Sequence, residues 1–202
     1  MNRSRRATSA TEPGSIRLEK VVSGGQTGVD RAALDVALAL GIPCGGWCPK
    51  GRRAEGGRIH YRYPLRETVS TAYSERTIRN IVDSDGTLIL AQVRLTGGTL
   101  LTKNTAQKKG KPFLVVDLDD SPDLEAVKRW LDENEIRVLN VAGPRASQAP
   151  RIYEKATRFL LRLLSPAPKG DRSSMVSTSA RTSKRGVSLG NKRLSLRTKR
   201  KG

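Results

Sequence analysis

The chain reads as an α/β protein, a doubly wound parallel sheet of about five strands with helices on both faces. Three observations predict this. Short apolar runs of strand length recur through the middle of the chain, segments of helical period separate them, and glycines punctuate the joins. Such alternation builds a parallel sheet covered on both faces, with right-handed crossovers.

The elements follow in order. Residues 18–23 form the first strand. Residues 29–40 form a helix, apolar on more than one side as a sheet-covering helix must be, and Gly41 ends it. A short strand is expected over 42–47, then a long polar connection over 50–71 rich in Arg and Gly. Residues 72–82 read as a helix and GTLILA, 86–91, as a compact buried strand. A helix over 98–109 ends at Gly110, and PFLVVD, 112–117, is the next strand. Residues 124–134 are helical, and RVLNVA, 137–142, is the last strand. Ile152, Ala156, Phe159, Leu160, Leu163 and Leu164 fall on one face of a closing helix.

Charge divides the 202-residue chain differently. The formal net charge is +19. Residues 169–202 carry eleven Lys or Arg against one Asp, and residues 1–20 carry five against two Glu. With hydrophobic residues at only 36%, part of the chain lies outside any core. A basic disordered arm is expected over 1–16, a folded domain over 17–166, and a basic disordered tail over 167–202. The Ser-, Arg- and Lys-rich tail cannot bury enough surface to offset its ordering entropy. Two cysteines make no disulfide framework, and no run approaches the ~18 apolar residues of a membrane span. A cytoplasmic protein without a membrane partner is the expectation.

The join after the first strand is SGGQTGVD. In doubly wound sheets, ligands bind beyond the carboxyl ends of the strands, where helix N-termini present unpaired amides and partial positive charge. Ser23, Gly25 and Gly28 occupy the spacing of a dinucleotide fingerprint, with Ser at the first glycine position. Gly24, Gln26 and Thr27 complete the turn. A bare structural turn fits the same residues. A second strand-to-helix turn, LTGGT, places Gly97, Gly98 and Thr99 at the start of another helix. Two such turns can face each other across one crevice, with Thr27 and Thr99 adding hydroxyls.

Charged residues nearby admit two readings each. Asp30 either complements the dipole of its helix or binds a hydroxyl or amine of a ligand. Lys50, Arg52 and Arg53 in CPKGRRAEGG are either a solvated loop or a basic lip over a phosphate. Arg145, after the last strand, is a phosphate contact or a turn residue. Trp47 and Tyr61 are candidates to stack on a heterocycle. Cys44, Cys48 and His60 give three metal ligands at most, where structural zinc takes four, so no metal site is expected.

SGGQTGVDRAALD, GGWCPKGRRAEGG, YPLRET, SERTIRNIVDSDGTLIL, LTGGTLLT, NVAGPR and IYEKATRFLLRLL together resemble the circularly permuted YpsA-type branch of the SLOG superfamily, a group that includes candidate molybdenum carriers. The resemblance spans roughly residues 18–164. It implies a Rossmann-like fold that binds a phosphorylated nucleotide-like or pterin ligand, with molybdenum cofactor or a nucleotide as the bound group. The segment through LTGGT also resembles the LOG phosphoribohydrolases. That likeness makes Arg76 a functional arginine, Gly97–Thr99 a shortened phosphate loop, and Asp85 a residue near the ligand. The LOG enzymes carry a catalytic Glu just after the loop Thr, where this chain has Leu100 and Leu101. The implied function is therefore binding or carriage, with hydrolysis of LOG type as the alternative and Arg76 and Glu67 as its catalytic candidates. The opening turn also resembles that of DNA-processing proteins. Weak, sequence-blind nucleic-acid binding through the tails is a third expectation, and a homo-oligomer a fourth.

Overall fold

The computed structural model describes residues 18–92 and 95–166. The expected arm over 1–16 and tail over 167–202 lie outside the described residues.

Six strands form one parallel sheet, where about five were expected. In chain order they are β1 (Lys20–Val22), β2 (Cys44–Cys48), β5 (Leu65–Glu67), β6 (Gly86–Ala91), β7 (Phe113–Asp117) and β8 (Val138–Ala142), arranged β5-β2-β1-β8-β6-β7. Register pairs Val21 with Cys44 on one side and with Leu139 on the other. The polar connection over 50–71 holds the unexpected pieces. It contains β5 and a separate antiparallel ribbon, β3 (Arg53–Ala54) with β4 (Gly57–Arg58). β5 is a three-residue edge strand, and only Leu65 of it is buried. Such an edge carries almost no periodic signal.

The helices are α1 (Val29–Ala39), α2 (Tyr73–Val82), α3 (Gly97–Lys108), α4 (Leu124–Glu133) and α5 (Ile152–Leu164). α1 connects β1 to β2, and α3 connects β6 to β7, on the other side of β8. Right-handed crossovers in opposite directions put α1 and α3 on opposite faces. α1 packs on α5, and α2 on α3.

The core sits where apolar strands meet apolar helix faces. All six residues of β6 are buried, as a central parallel strand requires. Ala32, Ala33 and Ala37 keep α1 slim, and Ile152, Ala156, Phe159, Leu160 and Leu163 supply the facing stripe of α5. Each buried Leu of that stripe contributes about 1.5–3 kcal/mol by leaving water. A second cluster of Leu34, Cys48, Ile59, Tyr63 and Leu65 lies under the 50–71 connection. α4 starts where the Asp123 carboxylate accepts hydrogen bonds from the Glu125 and Ala126 amides at 2.9 and 3.1 Å.

Arg52 organises that second cluster, which corrects its expected place on a basic lip. It is 4% exposed. Its guanidinium donates to the carbonyls of Ile59, Leu65, His60 and Tyr63 at 3.0, 3.0, 3.1 and 2.9 Å. A planar fork of five donors suits four carbonyls around a bend, and a single ammonium does not. Arg52→Lys is expected to lower stability by about 2–3 kcal/mol, because carbonyls would be left unpaired in the interior. A chemical-denaturation midpoint measures it, and a wild-type midpoint would disprove the role.

Candidate functional site

Because every sheet strand is parallel, the segments that leave their carboxyl ends share one edge. Residues 23–28 leave β1 there, 143–151 leave β8, and the turn into α3 leaves β6.

The first glycine turn is tied down on all sides. Ser23, fully buried, donates its hydroxyl to Val141 O at 2.7 Å and fastens the turn to β8. That bond explains Ser at the first fingerprint position. The Thr27 amide donates to Gln26 Oε1 at 3.0 Å, the Gln26 amide to Asp30 Oδ2 at 3.3 Å, and the Val29 amide to Pro144 O at 3.3 Å. Much of the turn's donor capacity is therefore spent within the protein.

Asp30 and Arg76 form the charged centre. Arg76 Nη1 donates to Asp30 Oδ2 at 2.6 Å, and the two side chains are 15% and 3% exposed. The geometry behind this pair starts in α2. Asn80 grips the backbone of Trp47 in β2, accepting from its amide at 2.7 Å and donating to its carbonyl at 3.1 Å. Arg76 lies one turn earlier on the same helix face. The guanidinium then passes over Gly24, where a Cβ would overlap it and lie 2.8 Å from Asp30 Oδ2. Gly24 is thus a clearance for Arg76. Arg76 Nε is buried and has no hydrogen-bond partner. Asp30 serves both as an acceptor for its own turn and as the counter-ion of Arg76.

The second glycine turn is more open. Gly97 has φ +49°, and a Cβ on Gly98 would meet nothing within 4 Å. Thr99 is buried at 4% exposure. The two turns do not meet directly, because β8 separates β1 from β6. The loop after β8 touches both. Pro144 O would overlap a Cβ on Gly28, and Gln148 Nε2 would lie 3.4 Å from one on Gly97.

Glu55 at the ribbon tip was not foreseen, and neither was Ser147. The Glu55 amide donates to Gln26 Oε1 at 2.9 Å. Its carboxylate accepts from Thr27 Oγ1, from Ser147 Oγ at 2.5 Å and from the Ser147 amide at 3.1 Å, and pairs with Arg145 Nε at 3.3 Å. Burial works against the charge on Glu55. The hydrogen bonds from Ser147 and Thr27, with the charge of Arg145, outweigh it and hold the carboxyl below its usual range. A lone acid inside the basic, glycine-rich GRRAEGG is the one sequence signal that marks it.

Other candidates fall elsewhere. Asp85 sits at the opposite, amino edge of the sheet, where its Oδ2 accepts from the Arg137 and Val138 amides at 3.0 and 2.7 Å. That places it away from the glycine turns and spends one of its oxygens on backbone amides. Glu67 Oε2 accepts from the Gly51 amide at 2.6 Å and braces the loop beside β2. Lys50 and Arg53 are exposed. Trp47 donates its Nε1 to Asp83 Oδ2 at 2.7 Å, and the guanidinium carbons of Arg66 and Arg79 lie 4.8 and 4.7 Å from its ring centroid. Burial raises the Cys44 and Cys48 thiols above their usual range. Among the described residues, no group of three His, Cys, Asp or Glu side chains is placed to hold a metal, and no helix is long and apolar enough to cross a membrane.

A parallel sheet with glycine turns, a buried ion pair and cationic loops at its carboxyl edge defines the Rossmann-like class, whose ligand crevices lie at that edge. Residues 21–164 match the circularly permutated YpsA SLOG family, and the chain belongs to that family. A solved structure from Syntrophus aciditrophicus, of a protein described as a candidate molybdenum carrier, is 47% identical. It covers 74% of this chain and 96% of its own, with a TM-score of 0.72. No curated protein matches the chain.

Proposed function

We propose that this chain binds a phosphorylated small molecule, nucleotide-like or of molybdopterin type, in the crevice between the α1 and α3 turns, as a binding or carrier protein. The buried Nε of Arg76 carries the proposal. A guanidinium fixed by Asp30 on one side, with an unpaired buried donor on another, is prepared for an anionic acceptor. The open α3 turn beside Gly98 adds amides and a helix dipole of the matching sign. The carrier description of the Syntrophus relative favours a bound and delivered ligand over a converted one. Leu100, at the position of the LOG catalytic Glu, supports the same side.

The donor set fits the phosphate and polar ring edge of a molybdopterin-type ligand. Arg76 and the α3 turn would hold the phosphate, and the Asp30 carboxylate would face hydroxyl or amine groups. Thermal shift with nucleoside monophosphates, cyclic dinucleotides and molybdenum cofactor tests the reading. A ligand at ~100 times its dissociation constant stabilises by ~2.7 kcal/mol, which raises the midpoint of a domain this size by about 5–10 °C. Gly24→Ala, which pushes the end of Arg76 away from Asp30, should abolish the shift and lower stability while far-UV circular dichroism stays that of the wild type. Absence of any shift across the panel, with folded wild-type protein, would sink the proposal.

A further inference from the structure

Four donors from two separate loops converge on the Glu55 carboxylate. Thr27 contributes a hydroxyl, Ser147 a hydroxyl and an amide, and Arg145 a guanidinium. This is the donor set of an oxyanion site, and it lies at the carboxyl edge of the sheet. Apart from the Glu55 amide, which donates to Gln26 Oε1 at 2.9 Å, the segment carrying the occupant is weakly held. Its strands are two residues each, with Arg53, Gly57 and Arg58 exposed and only Ala54 half-buried. At its root, Arg52 is anchored by four carbonyls. The tip packs closely on its latch, since a Cβ on Gly56 would stand 3.4 Å from Thr27 Cγ2. A fixed root and a tip held by polar contacts describe a flap whose latch is the Glu55 carboxylate, with the Glu55 amide on Gln26 Oε1 as a second hold.

We propose that Thr27, Arg145 and Ser147 form a phosphate subsite of the crevice, that Glu55 fills it when no ligand is bound, and that a ligand phosphate displaces the carboxylate and frees the ribbon. The inference rests on the reading of the crevice as a site for a phosphorylated ligand. A phosphate monoester suits the subsite better than the carboxylate does. It brings three acceptor oxygens and a charge of about −1.5 to −2, against two oxygens and a single charge. A neutral ligand gains nothing there. As an internal competitor, Glu55 lowers the apparent affinity for phosphate by the fraction of time the latch is open.

Calorimetric titration with inorganic phosphate, AMP and adenosine at fixed ionic strength tests this on the full chain. Three proteins are compared: wild type, Glu55→Ala, and the triple variant Glu55→Ala/Arg145→Ala/Ser147→Ala. Glu55→Ala is expected to tighten phosphate and AMP about tenfold and to leave adenosine unchanged. The triple variant should lose that gain. AMP binding tighter than phosphate assigns the subsite to a nucleotide phosphate, and equal binding assigns it to the free anion. Trypsin cleavage at Arg53 and Arg58 should accelerate in Glu55→Ala and in wild type saturated with phosphate, with far-UV circular dichroism unchanged. Unaltered affinity in Glu55→Ala, or a gain that survives in the triple variant, overturns the subsite. If AMP binds wild type but ignores all three positions, the subsite falls while the crevice reading stands. If neither probe binds any variant, the subsite falls, and the ligand panel decides the crevice separately.

Discussion

Replacing Arg76 by Met is expected to lower stability by about 2–4 kcal/mol and to abolish binding of a phosphorylated ligand. The stability term comes from Asp30, whose side chain is 3% exposed and would lose its cation while keeping one amide donor at 3.3 Å. Removing one member of a buried pair leaves an uncompensated charge, and that penalty exceeds the net worth of the pair itself. Asp30→Asn should therefore rescue part of the loss. The double variant is expected to be more stable than the sum of the single changes predicts, with a coupling of about 1–3 kcal/mol. Binding should not be rescued, because the guanidinium proposed to hold the phosphate is gone. Denaturant unfolding of the four proteins gives the cycle, and calorimetry gives the binding. Additive stabilities within ~0.5 kcal/mol would show that the pair is not coupled, and binding by Arg76→Met would remove Arg76 from the site.

What the sequence made legible follows from the range of the interactions involved. β6 and α5 were readable to the residue, because a six-residue apolar run and a helical stripe are local patterns. β5 was not, because a polar edge strand with one buried residue resembles a loop. The glycine turns were legible as turns. Their partners were not, since Arg76 lies 46 residues from Asp30 and Ser147 lies 92 from Glu55. Arg52 shows the limit of reading charge as surface. Its neighbours in sequence are polar, yet four carbonyls of a bend draw it inward, and only the folded path brings them together. Asp85 was recoverable from strand direction. A residue just before a parallel strand lies at the amino edge, away from a crevice at the carboxyl edge.

Gly28→Ala is expected to cost about 2–4 kcal/mol, mostly through backbone, and to disturb the site more widely than Gly24→Ala. Gly28 has φ +78° and ψ −129°, a region that essentially only glycine occupies. An added Cβ would also overlap Pro144 O and stand 3.0 Å from the Ala146 amide nitrogen. At Gly24 the obstacles are side-chain ends, the Arg76 guanidinium and the Asp30 carboxylate, so the pair opens while the turn keeps its path. At Gly28 both obstacles are main chain, so the turn and the loop after β8 must separate. That movement stretches the Val29 amide to Pro144 carbonyl bond of 3.3 Å and the Ala146 amide to Thr27 Oγ1 bond of 3.2 Å, and so shifts Ser147 relative to Thr27. The two substitutions therefore separate by readout. Gly24→Ala should lose ligand and lower the midpoint as Arg76→Met does, with trypsin cleavage in the ribbon unchanged, whereas Gly28→Ala should lower the midpoint and also speed that cleavage. Wild-type cleavage of the ribbon in Gly28→Ala would show that the β8 loop yields freely, and that the turn is not braced by it.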